Sequence, residues 1–293
     1  MENLIYQFVS GLTTGMIYFL IAAGLTLILG TLKVVNFAQG SIYMLGAYTT
    51  YSLMRLFGHT SLGFWLTLAI APTGVALFFC FLEIVLLRHF YEKAAIYILL
   101  LTYGVLVAMY DVVRLVWGLM ILTAPMPPMF QRAVEFKGFL FPLYNIFLII
   151  MGFSIAFLIW AVLHNTSWGK TIRAASDDRG MTEVLGVNVP LVFTSVFGFG
   201  AWVAAIGGAL VAPMAGMASD MGIEAGITAF IIVVIGGLGS IGGALLAAII
   251  CGEVQAIGIL VLPELAVAFM YLVMVVVLIW RPLGLLGKPV IIK

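Results

Sequence analysis

An all-α, polytopic membrane helix bundle of about eight spans is the fold class this sequence predicts, and three observations predict it. The composition is 64% hydrophobic against 9% charged, with a mean hydropathy of +1.24, whereas a soluble chain carries about 25% charged residues. Apolar stretches of roughly 20 residues, the length that crosses a hydrocarbon core, recur along the chain. Between two of them stands a polar island, Lys170 to Asn188, which bears Arg173, Asp177, Asp178, Arg179 and Glu183. Such a segment sits in water, within reach of a soluble partner. The chain therefore reads as one transmembrane domain over residues 1–293, with a water-facing segment at 166–190 inside it.

Phe8 to Leu32 forms the first span. It has no basic n-region and no A-x-A-like site, so it is expected to stay as a permanent span rather than be removed as a signal. A break at Lys33, Asn36 and Gln39-Gly40-Ser41 precedes a shorter apolar piece, Ile42 to about Leu56. Leu62 to Leu87 spans again, with Pro72 a kink that neighbouring helices must accommodate. Ala94 to Trp117 follows, and Asp111 and Arg114 near its end have the i,i+3 spacing of a local pair. Gly118 to Pro142 holds Pro125, Pro127, Pro128 and Pro142 among polar residues and reads as an external loop. Leu143 to Leu163 crosses back to the polar island, and Leu191 to Val211 leaves it. The remainder is broken: a short Ala225 to Ile235, an interruption at Gly236-Gly237-Leu238-Gly239-Ser240, then Ala244 to Leu262 and Leu265 to Trp280.

With the polar island in the cytoplasm, nine of the 13 Lys and Arg fall inside (Lys33, Arg88, Lys93, Lys170, Arg173, Arg179, Arg281, Lys288 and Lys293). Arg55, Arg114, Arg132 and Lys137 fall outside. This bias places the N-terminus outside and the C-terminus inside. The net charge of +1 excludes a nucleic-acid binder, which needs a basic patch to neutralise phosphates. Cys80 and Cys251 lie in apolar runs and read as small buried hydrophobes.

Small-xxx-small spacings at Gly11/Gly15, Gly200/Ala204/Gly208, Gly222/Gly226 and Gly239/Gly243 predict close helix packing in lipid. Two glycine-rich interruptions differ from these. Asn36 to Gly40 and Gly236 to Ser240 each break a stretch too short to span, one in each half of the chain. Broken segments at matching places point to an inverted repeat lining a transport path; loop ends near the membrane surface are the competing reading. Glu83, close to the end of its span, can snorkel or meet Arg88. Glu253 falls near the middle of a span, where a carboxylate is costly and faces the bundle interior or an aqueous path, with a structural hydrogen bond as the competing reading. Trp168-Gly169-Lys170-Thr171 imitates the tail of a phosphate-binding loop, but His164 stands where the leading glycine is required. His59, His89 and His164 are far apart, with no ligands at metal spacing. The sequence therefore predicts neither an enzyme nor a metal protein.

Gly24 to Gly30, Val35-Asn36-Phe37-Ala38-Gln39-Gly40 and Met44 to Tyr48 closely resemble the first permease subunit of branched-chain amino acid ABC importers. The likeness continues through Glu83 to Arg88, Arg173-Ala174 to Val187, Ala204 to Leu210, Gly236 to Ala244, and Glu253, so it covers nearly the whole chain in order. The family usually carries His where Gln39 stands; Gln keeps a hydrogen-bonding tip but has no titratable proton.

The resemblance implies a multi-pass permease of the bacterial inner membrane working as a heterodimer with a second, similar permease. Two cytoplasmic ATPases use the ATP and Mg, a periplasmic binding protein selects the substrate, and this chain holds no cofactor. It makes the island a coupling helix from about Arg173 to Leu185, ended by Gly186 in a left-handed cap, with Ala174 and Ala175 allowing close approach and Asp177, Asp178 and Glu183 on the rim. It implies a translocation pathway near Asn36, Gln39, Gly40, Gly236, Gly237, Gly239, Ser240 and Glu253. Leucine, isoleucine and valine are the family default, though relatives carry urea, amides and other amino acids. A stand-alone secondary transporter or channel for small amino acids, amides or urea is the alternative, with Glu253 as its midplane carboxylate.

Overall fold

A computed structural model describes residues 2–58, 60–91, 93–136 and 139–287. His59, Lys137, Lys288 and Lys293, used in the reading above, lie outside them. Among the described residues seven helices are long and apolar enough to cross a bilayer: α1 (Glu2–Leu32), α3 (Ser61–Val85), α4 (Ala95–Trp117), α5 (Leu143–Asn165), α8 (Val189–Val211), α10 (Ile241–Val261) and α11 (Ala266–Trp280, extended by a short turn from Pro263). Two lesser helices complete the bundle. α2 (Gln39–Phe57) has 19 residues diluted by polar ones, and α9 (Met221–Gly236) has 16. Two short helices, α6 (Ser167–Asp177) and α7 (Arg179–Val184), occupy the polar island.

Local chemistry sets where α2 begins. Lys33, with φ 56°, ends α1, and the Asn36 side-chain oxygen accepts from Ala38 N at 3.1 Å to turn the chain. The segment between does not run along the surface. Phe37 N donates to Thr102 Oγ1 at 3.2 Å, and Thr102 lies seven residues into α4, about 10 Å below its start at 1.5 Å per residue. The chain re-enters the bundle, and its freed backbone groups are buried in protein, as lipid requires.

The prolines of 118–142 exclude a span, but this region is more ordered than a plain loop. Strands β1 (Ala133–Phe136) and β2 (Phe139–Pro142) pair as an antiparallel hairpin, and Leu122 bridges to Met217. Tyr6 stacks on Phe141, which places the start of α1 at this end. At the opposite end Ser176 Oγ donates to Gly30 O at 2.9 Å, and Leu286 N donates to Gly236 O at 3.0 Å. The described basic residues sort the same way. Arg55, Arg114 and Arg132 lie at the hairpin end and Lys33, Arg88, Lys93, Lys170, Arg173, Arg179 and Arg281 at the other, which the Lys and Arg bias assigns to the cytoplasm.

α1 is the axis. Of its most apolar stretch 83% is buried, against 11% for the last span, so α11 lies at the periphery of the bundle. Glycines let α1 approach its neighbours: a Cβ on Gly252 would overlap the backbone of Gly11 and Gly15, and one on Gly24 would overlap Gly200 O. In lipid such backbone contact replaces the hydrophobic drive. Gly252→Val is therefore expected to cost about 1–3 kcal/mol by overpacking. Gly74→Ala, where an added methyl meets nothing within 4 Å, is expected to stabilise by about 0.5–1 kcal/mol through helix propensity. Thermal unfolding of both variants in detergent checks the pair.

Candidate functional site

The polar island is a two-helix handle rather than one helix from Arg173 to Leu185. Thr166 caps α6 by accepting from Gly169 N at 3.1 Å, so the helix begins at Ser167. Asp178, extended at φ −145° and ψ 100°, breaks it and caps α7 by accepting from Met181 N at 2.9 Å. A short acidic side chain that bonds its own backbone competes with helix continuation. Gly186, at φ 84°, closes α7: its N–H donates to Glu183 O and that of Val187 to Thr182 O, the paired bonds of a Schellman end.

The handle's outer face is apolar within a charged frame. Met181, Val184 and Leu185 are 58%, 81% and 72% exposed, among Asp177, Asp178 and Glu183, with Arg173 and Ala174 also exposed. Ala175 is buried against Val189 and Phe193, so it packs the handle onto α8 and does not face a partner. Arg173 is tied as well, donating from Nη1 to Leu163 O. The sequence reading followed the charges and passed over Met181, Val184 and Leu185, although their i, i+3, i+4 spacing marks one helical face.

Beneath the handle lies a buried polar knot. The Glu83 side chain has no exposed surface, so it does not snorkel. Thr194 Oγ1 donates to Glu83 Oε2 at 2.6 Å and accepts from Arg88 Nη2 at 2.6 Å, with Arg88 and Glu83 3.9 Å apart. Tyr91 is T-stacked on Phe193, and burial, then the Glu83 charge, pushes its hydroxyl well above the usual tyrosine range. It therefore stays protonated across physiological pH. Thr194 is six residues from Asn188, the cap of α8. The knot thus fixes the root of the handle to α3.

Within the membrane the predicted pathway residues separate into three places. Asn36 and Gln39 are buried at the re-entrant turn; Gln39 stands beside Gly24, and its carboxamide finds no hydrogen-bond partner among the described residues. Gly40 abuts Gly222 of α9, so the two shorter helices meet near their N-termini. Gly236, Gly237, Gly239 and Ser240 do not join them. They form the α9–α10 turn at the cytoplasmic end, where Gly239 packs on Gly30 and Ser240 caps α10 by accepting from Gly243 N at 3.1 Å. Matching Asn36–Gly40 with this turn thus pairs a buried re-entrant break with a surface turn. Glu253 abuts Gly11, thirteen residues from Gly24 and so about 20 Å along α1 from Gln39.

A different polar group occupies the membrane level. Tyr18, near the middle of α1, hydrogen-bonds Gln255 of α10, and Glu224 stands in the first turn of α9. Glu224 is exposed on a helix whose adjoining Ile223 and Ile227 are exposed too. The sequence reading missed it because it started the short segment at Ala225. Asp111 and Arg114 pair at 3.9 Å at the outer end, as their spacing predicts. Among the described residues no three His, Cys, Asp or Glu side chains group to hold a metal.

A multi-pass helical bundle with a re-entrant break, membrane-level polar groups and a wet handle defines a membrane permease. The chain belongs to the family described as branched-chain amino acid transport system permease component, whose model matches residues 7–278. It is 30% identical to the high-affinity branched-chain amino acid transport system permease protein BraD of Pseudomonas aeruginosa, over 98% of this chain and 97% of that one. It is 27% identical to the permease protein LivH of the corresponding Escherichia coli system, over 98% and 96%. A LivH protein of Methanocaldococcus jannaschii, named a probable branched-chain amino acid transport permease, is 26% identical over 80% and 74%. No solved structure matches.

Two substitutions test the geometry. Glu83→Ala strands Arg88 and Thr194 and is expected to lower unfolding free energy by about 1–3 kcal/mol, with Glu83→Gln recovering part of the loss. Gln39→Met removes a buried amide without a partner and is expected to raise stability by a similar ~1–3 kcal/mol. Chemical unfolding of the detergent-solubilised chain reads both.

Proposed function

We propose that this chain is the permease subunit of an ABC importer in the inner membrane, moving branched-chain or related amino acids by alternating access. Its partners are a second homologous permease, two cytoplasmic ATPases that consume ATP and Mg, and a periplasmic binding protein that selects the substrate. The observation that carries this reading is the exposed apolar face of the handle. An apolar patch rimmed by charge at a water-facing end is a protein-docking surface, and its root is pinned into the bundle by the Glu83 knot. ATPase closure pulls on α6 and α7, the knot passes the motion to α3 and α8, and the bundle rocks as a rigid body. Asp177 and Glu183 set register at the rim, while Arg173 and Asp178 hold the handle's own shape and Gly186 fixes the exit from α7.

The translocation path runs by Asn36, Gln39 and Gly40, where α2 and α9 meet. Tyr18, Glu224 and Gln255 supply polar groups at membrane level, and Gly236 to Ser240 serves as a cytoplasmic hinge. Glu253 lines the seam between α1 and α10. Membership of a branched-chain amino acid permease family supports the substrate class.

Co-expression with the cognate ATPases tests the docking face. The double variant Met181→Asp, Val184→Asp is expected to insert normally yet lose at least about tenfold of the co-purified ATPase, a loss of ~1.4 kcal/mol or more in binding. Unchanged co-purification and uptake would remove the handle from the coupling role.

A further inference from the structure

A cavity of about 200 Å³ lies between the end of α1, the break between α6 and α7, and the root of α8. Lys33, Tyr91, Ser176, Asp177, Arg179 and Phe193 line it, with Leu32 and Ala175 completing an apolar wall. Both signs of charge are present in its described lining: Lys33 and Arg179, which also pairs with Glu183 at 3.1 Å, and Asp177. A phosphate or nucleotide would meet Asp177 as a like charge, whereas a zwitterion meets both partners. The space has room for one small amino acid. Lys33 is also the one non-glycine residue with positive φ among the described residues. Backbone held in that region concentrates at ligand clamps and switches.

We propose that this cavity is a cytoplasmic site for a zwitterionic α-amino acid with an aliphatic side chain. Lys33 takes the carboxylate, Asp177 the ammonium, and Leu32, Ala175 and the Phe193 ring the side chain. The occupant bridges the end of α1 to the α6–α7 break, beside the existing bond from Ser176 to Gly30. It therefore favours the arrangement in which the handle lies against α1. A ligand shifts such an equilibrium only by binding one arrangement better, and this cavity exists only while the handle stays in place. Released substrate then slows its own import as the internal pool rises. The inference rests on the amino acid permease reading.

The test uses the assembled importer in proteoliposomes, with L-leucine present or absent on the cytoplasmic face and initial ATP-driven uptake measured from the other. Internal leucine is expected to cut the rate by at least about threefold, a modest population shift. Isovalerate and isoamylamine, each lacking one charge, are expected to have no effect. Lys33→Gly keeps the left-handed backbone, removes the ammonium and should abolish the inhibition. Asp177→Asn should weaken binding of labelled leucine to the permease–ATPase complex, purified without the binding protein, by about tenfold, the scale of one lost charge-assisted bond. Uptake indifferent to internal leucine overturns the proposal and leaves the permease reading standing. Inhibition that survives Lys33→Gly, or is matched by a single-charge probe, also overturns it. Absence of amino acid uptake by an assembled complex removes the permease reading and this inference together.

Discussion

Close contact between main chains, made possible by glycine, is the constraint on which this molecule depends. In hydrocarbon an apolar side chain gains nothing by leaving lipid for protein, so helices adhere through dispersion and intimate fit. α1 can be the axis because Gly11 and Gly15 admit α10, and Gly24 admits α8. The same rule governs the meeting of α2 and α9, where Gly40 and Gly222 leave no room for a side chain. Polar groups then enter only where these contacts shield them or where water reaches the chain.

Legibility varied with the kind of force involved. Span positions were readable within a few residues, because flanking charges and prolines mark where the chain leaves lipid. The start of α2 was less so, since the Asn36 turn is a local hydrogen bond that hydropathy does not register. Asp178 shows the same blindness: it looked like a rim charge, but its side chain caps α7 and splits the handle. A meeting of Glu83 with Arg88 was one of two outcomes that the sequence allowed, beside snorkelling. The full burial of Glu83 was not legible, because Thr194 comes from 111 residues away. The glycines at 236–240 and at 40 look alike in sequence, yet one set turns a chain at the membrane surface and the other closes a buried crossing.

The charged and apolar parts of the handle divide their tasks. Arg173 and Ser176 spend their hydrogen bonds on α5 and α1, and Ala175 packs inward, so three residues of the island fix its place. Met181, Val184 and Leu185 face outward and make no comparable commitment. A segment held firmly by one face and bare on the other transmits displacement efficiently, because little motion is absorbed at its root. The Glu83 knot completes that root with groups costly to separate once desolvated.

The brevity of α9 follows from where it starts. Sixteen residues rise about 24 Å, short of the ~30 Å hydrocarbon thickness, because Gly222 abuts Gly40 at the re-entrant turn and the helix begins inside the bundle. α2 and α9 thus meet tip to tip at depth, where the backbone groups freed at both helix starts are satisfied only by protein or by water.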